Sequence, residues 1–179
     1  MALTSTVYTV TVDLSNVDRG VYTSLDLKLA RHPSETAEYL VTRLLAYCLE
    51  YEDGIAFGDG LSTADEPAVL VRDLTGRLTK WVDVGMPSAD RIHRASKLAG
   101  RVAIYTHRDA RQVLALLEGQ GIHRAAEIPV YVFDRPTIES LAAALDRRTA
   151  LTLNVMDGQL YLEGPAGSQT LPLTPAHFA

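Results

Sequence analysis

Residues 68–87, AVLVRDLTGRLTKWVDVGMP, contain two strand-forming runs joined by a turn. The runs are residues 68–72 and 78–84, rich in Val, Leu and other apolar residues, and the turn is residues 73–77, DLTGR. Turn residues between two such runs predict an antiparallel pair of strands. Glycine and proline in residues 85–87 end the second strand.

A helix is predicted on each side of this pair. Residues 88–100 read as a helix with Ser88 as its N-cap, and an apolar strand follows at residues 102–106. Upstream, Pro33 suits a first helical position and Glu35 a capping carboxylate. The apolar stripe of that upstream helix consists of Ala37, Leu40, Val41, Leu44, Leu45, Cys48 and Leu49.

The order over residues 34–106 is therefore helix, strand or loop, two strands, helix, strand. This order predicts a mixed sheet with helices on its faces, an α/β (α+β) class, within one domain over residues 1–179. Further helices are expected at residues 109–117 and 137–145, and a strand at 129–133. Hairpins are expected at both ends: residues 6–13 with 21–29, and residues 150–173 around the Asp157-Gly158 turn.

Composition excludes several classes of protein. A chain of 179 residues with 47% hydrophobic and 22% charged residues can bury a core and is not a disordered type. It has no apolar run of the ~18 residues that a membrane span needs, and no secretory signal is visible. The single cysteine, Cys48, lies in an apolar stripe and is expected in the core. We therefore expect a cytoplasmic protein without a membrane segment.

The net charge of −5 conceals an asymmetry along the chain. Residues 1–90 carry a net charge of −7, whereas residues 91–124 carry +5. One interpretation is a set of solvated helix faces. The other is a basic surface beside an acidic pocket, which would guide nucleic acid.

The acidic candidates are Asp65 and Glu66, just before one strand, and Asp83 on the next. Strand alternation puts Asp83 on the same face as Trp81. A carboxylate there is costly unless it is paired or metal-bound. The hairpin can bring Asp65 or Glu66 beside Asp83, and a cation such as Mg²⁺ or Mn²⁺ would hold them together for phosphodiester hydrolysis.

The competing interpretation of these acids is structural. Asp65 and Glu66 could form a turn, and Asp83 could pair with an arginine. Carboxylates clustered opposite a Lys or Arg would favour a metal site. Carboxylates that are each bound by arginine or backbone donors would favour a bracing role.

Several segments together resemble the YaeQ family of small bacterial proteins. They are RHPSET at residues 31–36, DEP at 65–67, WVDVG at 81–85 with Pro87, and Arg91-Ile92. The resemblance runs over essentially the whole chain. It implies a variant PD-(D/E)XK, or restriction-endonuclease-like, core of helix, three strands, helix, strand, here with added N- and C-terminal hairpins.

The resemblance also assigns site residues. Asp65 or Glu66 takes the first acidic position and Asp83 the second, as ligands of Mg²⁺ or Mn²⁺. The motif's lysine position falls on Gly85, which is a departure from the pattern. A variant of this fold can supply the cation from the next helix.

In that next helix, Lys97 or Arg94 would stabilise the phosphate, and Arg91 with residues 91–124 would guide nucleic acid. The first helix can add a carboxylate. Helical phase favours Glu38 for this role, whereas the family motif favours Glu35. Alternatively, Glu35 caps the helix and Glu38 forms a rim salt bridge, with Arg31 or Arg43.

Two functions are compatible with these residues. The first is a Mg²⁺-dependent nuclease or phosphodiesterase of variant PD-(D/E)XK type acting on nucleic acid. The second is a catalytically inactive nuclease-fold module that binds nucleic acid or a protein partner. In a third interpretation, the carboxylates only brace the loop and the interface lies on the C-terminal hairpins.

Overall fold

The computed structural model describes residues 4–59 and 65–178. The strands among these residues are β1 Thr6–Asn16, β2 Val21–Arg31, β3 Ile55–Phe57, β4 Val69–Arg72, β5 Leu78–Val84, β6 Arg101–Thr106, β7 Val130–Val132, β8 Arg148–Met156, β9 Gln159–Gly164 and β10 Gly167–Pro172. The α-helices are α1 Ala37–Leu49, α2 Ala89–Leu98, α3 Ala110–Leu117 and α4 Arg135–Ala144.

The strands form two mixed sheets of five strands each, in the orders β10-β9-β8-β1-β2 and β3-β4-β5-β6-β7. The α/β class and the mixed sheet predicted for residues 34–106 are confirmed, whereas the separate sheet of the terminal hairpins was not predicted. The reason is that the two terminal hairpins pair with each other. β8 runs parallel to β1, with Val12 opposite Leu151, so the hairpins build a sheet of their own.

Helix α1 lies between the sheets. Residues 40–49 are all buried, and they share one apolar cluster with residues of both sheets, such as Leu153 and Val82. A helix that is buried all round has no solvent face, which explains why polar α1 residues need internal partners. Cys48 is a core residue, as predicted, and burial raises the pKa of its thiol to about 12.

Helix α1 begins later than predicted. Its N-cap is Thr36, whose Oγ1 accepts a hydrogen bond from the Tyr39 amide at 3.1 Å. The Glu35 amide donates to the His32 carbonyl at 2.8 Å, so the preceding residues form a turn. The expectation that Pro33 starts the helix and Glu35 caps it is wrong, because Thr36 is an equally good cap and the Glu35 side chain is buried.

Most other local predictions are confirmed. Ser88 caps α2, and Asp157 and Gly158 both adopt positive φ in the turn between β8 and β9. The short strand β3 settles the position left open as strand or loop. The sequence also predicts a polar loop at residues 58–66, and this loop lies partly outside the described residues. Within the described residues, no helix has the length and apolar character needed to cross a membrane.

The parallel strands β5, β6 and β7 give the second sheet a carboxyl edge, which we define as residues 83–85, 106–108 and 133–135. Helices α2, α3 and α4 each begin just beyond it. Crevices at the carboxyl ends of parallel strands are common ligand sites in α/β proteins. The candidate acidic residue Asp83 lies at this edge.

Candidate acidic site

Asp83 is placed by the alternation of β5, as predicted. Its side chain lies on the same face as Trp81, whose indole Nε1 donates to Asp83 Oδ2 at 2.9 Å. Val82 and Val84 lie on the opposite face and contribute to the core around α1. Asp83 is only 3% exposed, so its charge needs a partner within the protein.

Arg91 is that partner. Its Nε donates to Asp83 Oδ2 at 2.8 Å, and its Nη2 donates to Oδ1 at 2.9 Å. The guanidinium also lies over the Trp81 ring, 5.3 Å from the ring centroid. Burial lowers the pKa of Arg91, but the hydrogen bond and charge of Asp83 outweigh burial, so that pKa is raised. The Ser88 cap holds Arg91 in the first turn of α2, because Ser88 Oγ accepts from the Arg91 amide.

The two other acidic candidates lie at the same end of the hairpin but have separate partners. Arg91 Nη2 also donates to the backbone carbonyl of Glu66, whereas the Glu66 carboxylate accepts from the Asp59 amide at 3.3 Å. Asp65 pairs with Arg94 at 3.2 Å, with both side chains largely exposed. The three carboxylates thus each have an arginine or a backbone donor.

These residues do not fit a metal ion as they are arranged. In the part of the chain that the structure describes, no three His, Cys, Asp or Glu side chains form a group that could hold one. Both oxygens of Asp83 already accept from Arg91. The arrangement matches the bracing interpretation, and Mg²⁺ or Mn²⁺ binding stays a prediction.

Glu35 is the carboxylate that the family motif favours as an addition from the first helix. It is 3% exposed, and neither of its carboxylate oxygens has a hydrogen-bond partner among the described residues. Arg43 Nη2 lies 3.8 Å from Glu35 Oε2 and donates instead to the Ala30 carbonyl. A buried carboxylate without a hydrogen bond is costly. The hydrogen bonds of the described residues therefore do not explain why Glu35 is buried.

Tyr39 connects Glu35 to the Asp83 region. Its ring lies beside Gly85, about 3.8 Å from where a Cβ would be. Burial raises the pKa of Tyr39 to about 12, and the charges of Arg43, Glu35 and Asp83 all reach its hydroxyl. Sequence reasoning missed Tyr39, because a tyrosine on the rim of an apolar stripe carries no distinguishing signal.

Glu38 does not form the predicted salt bridge. Arg31 Nε donates to the Glu35 carbonyl and Arg43 contacts the Glu35 carboxylate, so neither arginine pairs with Glu38. Glu38 instead borders a surface pocket that also includes His107 and Arg108 at the carboxyl edge.

Two basic residues of the segment 91–124 have partners within the fold. Arg124 donates to the Ser96, Ala99 and Gly100 carbonyls at the end of α2. Arg101 binds the Glu50 carboxylate. The exposed cations of the segment are Arg94, Lys97, Arg101, Arg108 and Arg111, and of these Arg101 is the one bound to Glu50.

Comparisons with known proteins cover almost the whole chain. A family model described as "YaeQ protein" matches residues 1–173. The YaeQ protein of Escherichia coli (strain K12) is 31% identical over 175 residues, which are 97% of each chain. The Salmonella typhi YaeQ protein is 30% identical over the same length.

Two solved structures are similar to this one. The crystal structure of YaeQ from Pseudomonas syringae superimposes with a TM-score of 0.89 at 32% identity, covering 96% of this chain and 95% of that one. The structure from Xanthomonas axonopodis pv. citri gives a TM-score of 0.87 at 33% identity, covering 97% and 98%. Sequence and fold agree over nearly the full length, and the chain belongs to the YaeQ family.

Proposed function

We propose that the chain is a module of variant PD-(D/E)XK, restriction-endonuclease-like type that binds nucleic acid without cleaving it. Support for the fold type comes from the order α1, β3, β4, β5, α2, β6, which is helix, three strands, helix, strand, with β5 parallel to β6. Glu66 precedes β4 and Asp83 lies on β5, the two positions that this fold type gives to acidic residues.

The observation that carries the non-cleaving part is the bidentate pair between Arg91 and Asp83. Metal-assisted phosphodiester hydrolysis needs carboxylates that are available to a cation. Here the guanidinium already neutralises Asp83, and Gly85 stands where the motif has lysine. The acidic residue therefore serves to attach α2 to the sheet.

Nucleic acid would bind along the carboxyl edge. Arg108 belongs to that edge, Arg111 lies in the first turn of α3, and Arg94 is exposed on α2. These cations can contact phosphates, which carry most of the affinity in binding without sequence preference. Because the chain has a net charge of −5, the binding is expected to be local and sensitive to salt.

Fluorescence anisotropy with labelled single- and double-stranded DNA and RNA tests this binding in a buffer without divalent ions. We expect Arg108→Gln and Arg111→Gln each to weaken binding and to reduce the salt slope by about one ion. Arg147→Gln is the matched control, because Arg147 is also an exposed arginine and lies on the connection from α4 to β8. No measurable binding at low salt, or equal losses in all three variants, would overturn the proposal.

A second candidate is a Mg²⁺-dependent nuclease in which Asp65, Glu66 and Asp83 bind the metal and Lys97 or Arg94 stabilises the phosphate. The observation that favours it is Glu35, a buried carboxylate with no hydrogen-bond partner among the described residues, whose charge acts on Tyr39 together with that of Asp83. Such a carboxylate could become a ligand if Arg91 left Asp83.

Titration calorimetry with Mg²⁺ and Mn²⁺ separates the two candidates. The non-cleaving module predicts no heat of binding and no cleavage of DNA or RNA with either ion. Metal binding and cleavage that are both lost in Asp83→Asn, while the variant keeps its circular dichroism spectrum, would establish the nuclease. Metal binding that survives Asp83→Asn would exclude the proposed ligands.

A further inference from the structure

A second site lies away from Asp83, between the two sheets. It is a cavity of about 330 Å³ bounded by the β1–β2 turn, the β8–β9 turn, the end of α1 and the α1-facing side of the second sheet. This volume is within the usual range for small-molecule sites. None of the acidic candidates discussed above, Glu35, Asp65, Glu66 or Asp83, lines it.

One wall is a buried ionic network around Glu50, which is 3% exposed. Glu50 Oε1 accepts from Arg101 Nη2 at 2.8 Å and from the Tyr105 hydroxyl at 2.9 Å. Glu50 Oε2 accepts from Arg101 Nε at 3.0 Å and lies 3.0 Å from Lys80 Nζ. Burial alone would raise the pKa of Glu50, but Arg101 and Lys80 lower it to about 2. Both oxygens of this carboxylate are therefore engaged.

On the opposite wall, the carboxylate oxygens of Asp18 also have hydrogen-bond donors. Asp18 accepts from the Asp157 amide at 2.8 Å and from the Gly158 amide at 2.9 Å, one bond to each oxygen. Arg19 Nη1 donates to the Leu49 and Tyr51 carbonyls at the end of α1. The two turns and the helix end are thus fixed to one another.

What remains unused in the cavity is a set of donors. Arg19 Nη2 and Arg101 Nη1 have no acceptor among the described residues, while the two lining carboxylates, Asp18 and Glu50, are occupied. The cavity therefore offers two guanidinium edges to an anion. Carboxylate and phosphate groups are the anions that match guanidinium geometry best.

The cavity also presents an aromatic surface. The rings of Tyr105 and Tyr131 are stacked, with centroids 4.7 Å apart and planes inclined by 18°. Tyr131 is only half-buried, and Val155 and Leu173 line the cavity with it. A planar ring could extend this stack on one side and contact apolar side chains on the other.

We infer that this cavity binds a small planar molecule that carries a carboxylate or phosphate group. The anion contacts Arg19 and Arg101, and the ring packs against Tyr131. This site is independent of the proposed nucleic-acid function, because it lies among different residues.

Two pairs of probes test the inference by isothermal titration and by amide chemical-shift mapping on the wild-type protein. 5′-AMP and adenosine form the phosphate pair, and 4-hydroxybenzoate and 4-hydroxybenzamide form the carboxylate pair. We expect at least one anionic probe to bind at least about tenfold more tightly than its neutral partner. The neutral partner lacks the anionic group and therefore cannot form the charged hydrogen bonds with the two arginines. The shifts should centre on the β1–β2 turn, the β8–β9 turn and β7.

Arg19→Gln and Tyr131→Leu should each lower the affinity for that probe about tenfold, whereas Arg147→Gln should leave the affinity unchanged. Thermal unfolding shows whether each variant is folded. If Arg19→Gln is unfolded, the chemical-shift map of the wild-type protein still tests where the probe binds. The inference is overturned if neither anionic probe binds at millimolar concentration, if the shifts lie elsewhere, or if folded Tyr131→Leu binds the probe as tightly as wild type.

Discussion

At the scale of single residues, the pair between Asp83 and Arg91 is the contact on which the site depends. It joins β5 to α2, and Arg91 also reaches the Glu66 carbonyl before β4. Because the guanidinium links α2 to two other segments, its removal affects the attachment of α2 as well as the charge of Asp83.

We predict that Arg91→Met destabilises the protein by about 3 kcal/mol, since it leaves a buried carboxylate with only the Trp81 indole as a side-chain donor. The double variant with Asp83→Asn should recover part of this loss, because no unpaired charge remains. Urea unfolding followed by tryptophan fluorescence measures both. A cost below about 0.5 kcal/mol for Arg91→Met would show that the pair is not important for stability.

Glu50 gives a prediction about pH. Its pKa is about 2 in the folded protein against 4.5 for an ordinary glutamate, so folding favours the ionised form. The stability from this carboxylate is therefore complete above pH 4.5 and is lost as the pH falls towards 2. By linkage the contribution is on the order of 3 kcal/mol.

The measurement compares wild type with Glu50→Gln. The difference in free energy of unfolding should be large at pH 6 and should shrink progressively between pH 4.5 and pH 2. If this difference did not change between pH 4.5 and pH 2, the interactions of Glu50 with Arg101 and Lys80 would not depend on the ionisation of Glu50.

At the scale of elements, the start of α1 shows how a local signal can mislead. Residues 32–36 offer more than one reasonable cap, and the choice between them depends on where the side chain of Glu35 goes. Thr36 is the cap because Glu35 turns into the interior beside Arg43. Local sequence does not contain that tertiary contact.

We predict that Thr36→Ala costs about 1 kcal/mol, because the Tyr39 amide loses its acceptor. Ser34→Ala is the control: Ser34 is exposed and bonds only with His32 nearby, so little change is expected. Thermal unfolding of the two variants measures the difference. Equal effects would mean that Thr36 is not the functional cap.

The elements themselves were largely predictable, because their signals are local. Alternation in β5 correctly put Trp81 and Asp83 on one face, and the apolar stripe correctly marked α1. The stripe did not reveal that α1 is buried all round. Nor did it reveal the partners of the buried Arg43, whose Nη2 donates to the distant Ala30 carbonyl while its Nε has no hydrogen-bond partner among the described residues.

At the scale of the whole molecule, the local alternation of apolar and polar residues could not predict which distant strands pair. Both terminal hairpins were expected, but the parallel pairing of β1 with β8 joins opposite ends of the chain. No propensity specifies such a partner, so the sheet that the two hairpins form together was not predicted. The charge asymmetry likewise did not reveal that Arg101 and Arg124 have partners within the fold.

The central position of α1 leads to a prediction about cooperativity. Leu153 in the first sheet and Val82 in the second belong to one apolar cluster with Leu44 of α1, whereas the single tryptophan, Trp81, lies on the other face of the second sheet. A cavity made in the first sheet should therefore destabilise the surroundings of Trp81 as well, because the two sheets share the core around α1.

We predict that Leu153→Ala costs about 3 kcal/mol, since Leu153 is fully buried. Its urea midpoint should fall by the same amount whether it is followed by Trp81 fluorescence or by far-UV circular dichroism. Leu74→Ala, at a fully exposed residue in the β4–β5 turn, should leave both midpoints unchanged. If the circular dichroism midpoint fell while the fluorescence midpoint stayed in place, the two sheets would unfold separately and α1 would not couple them.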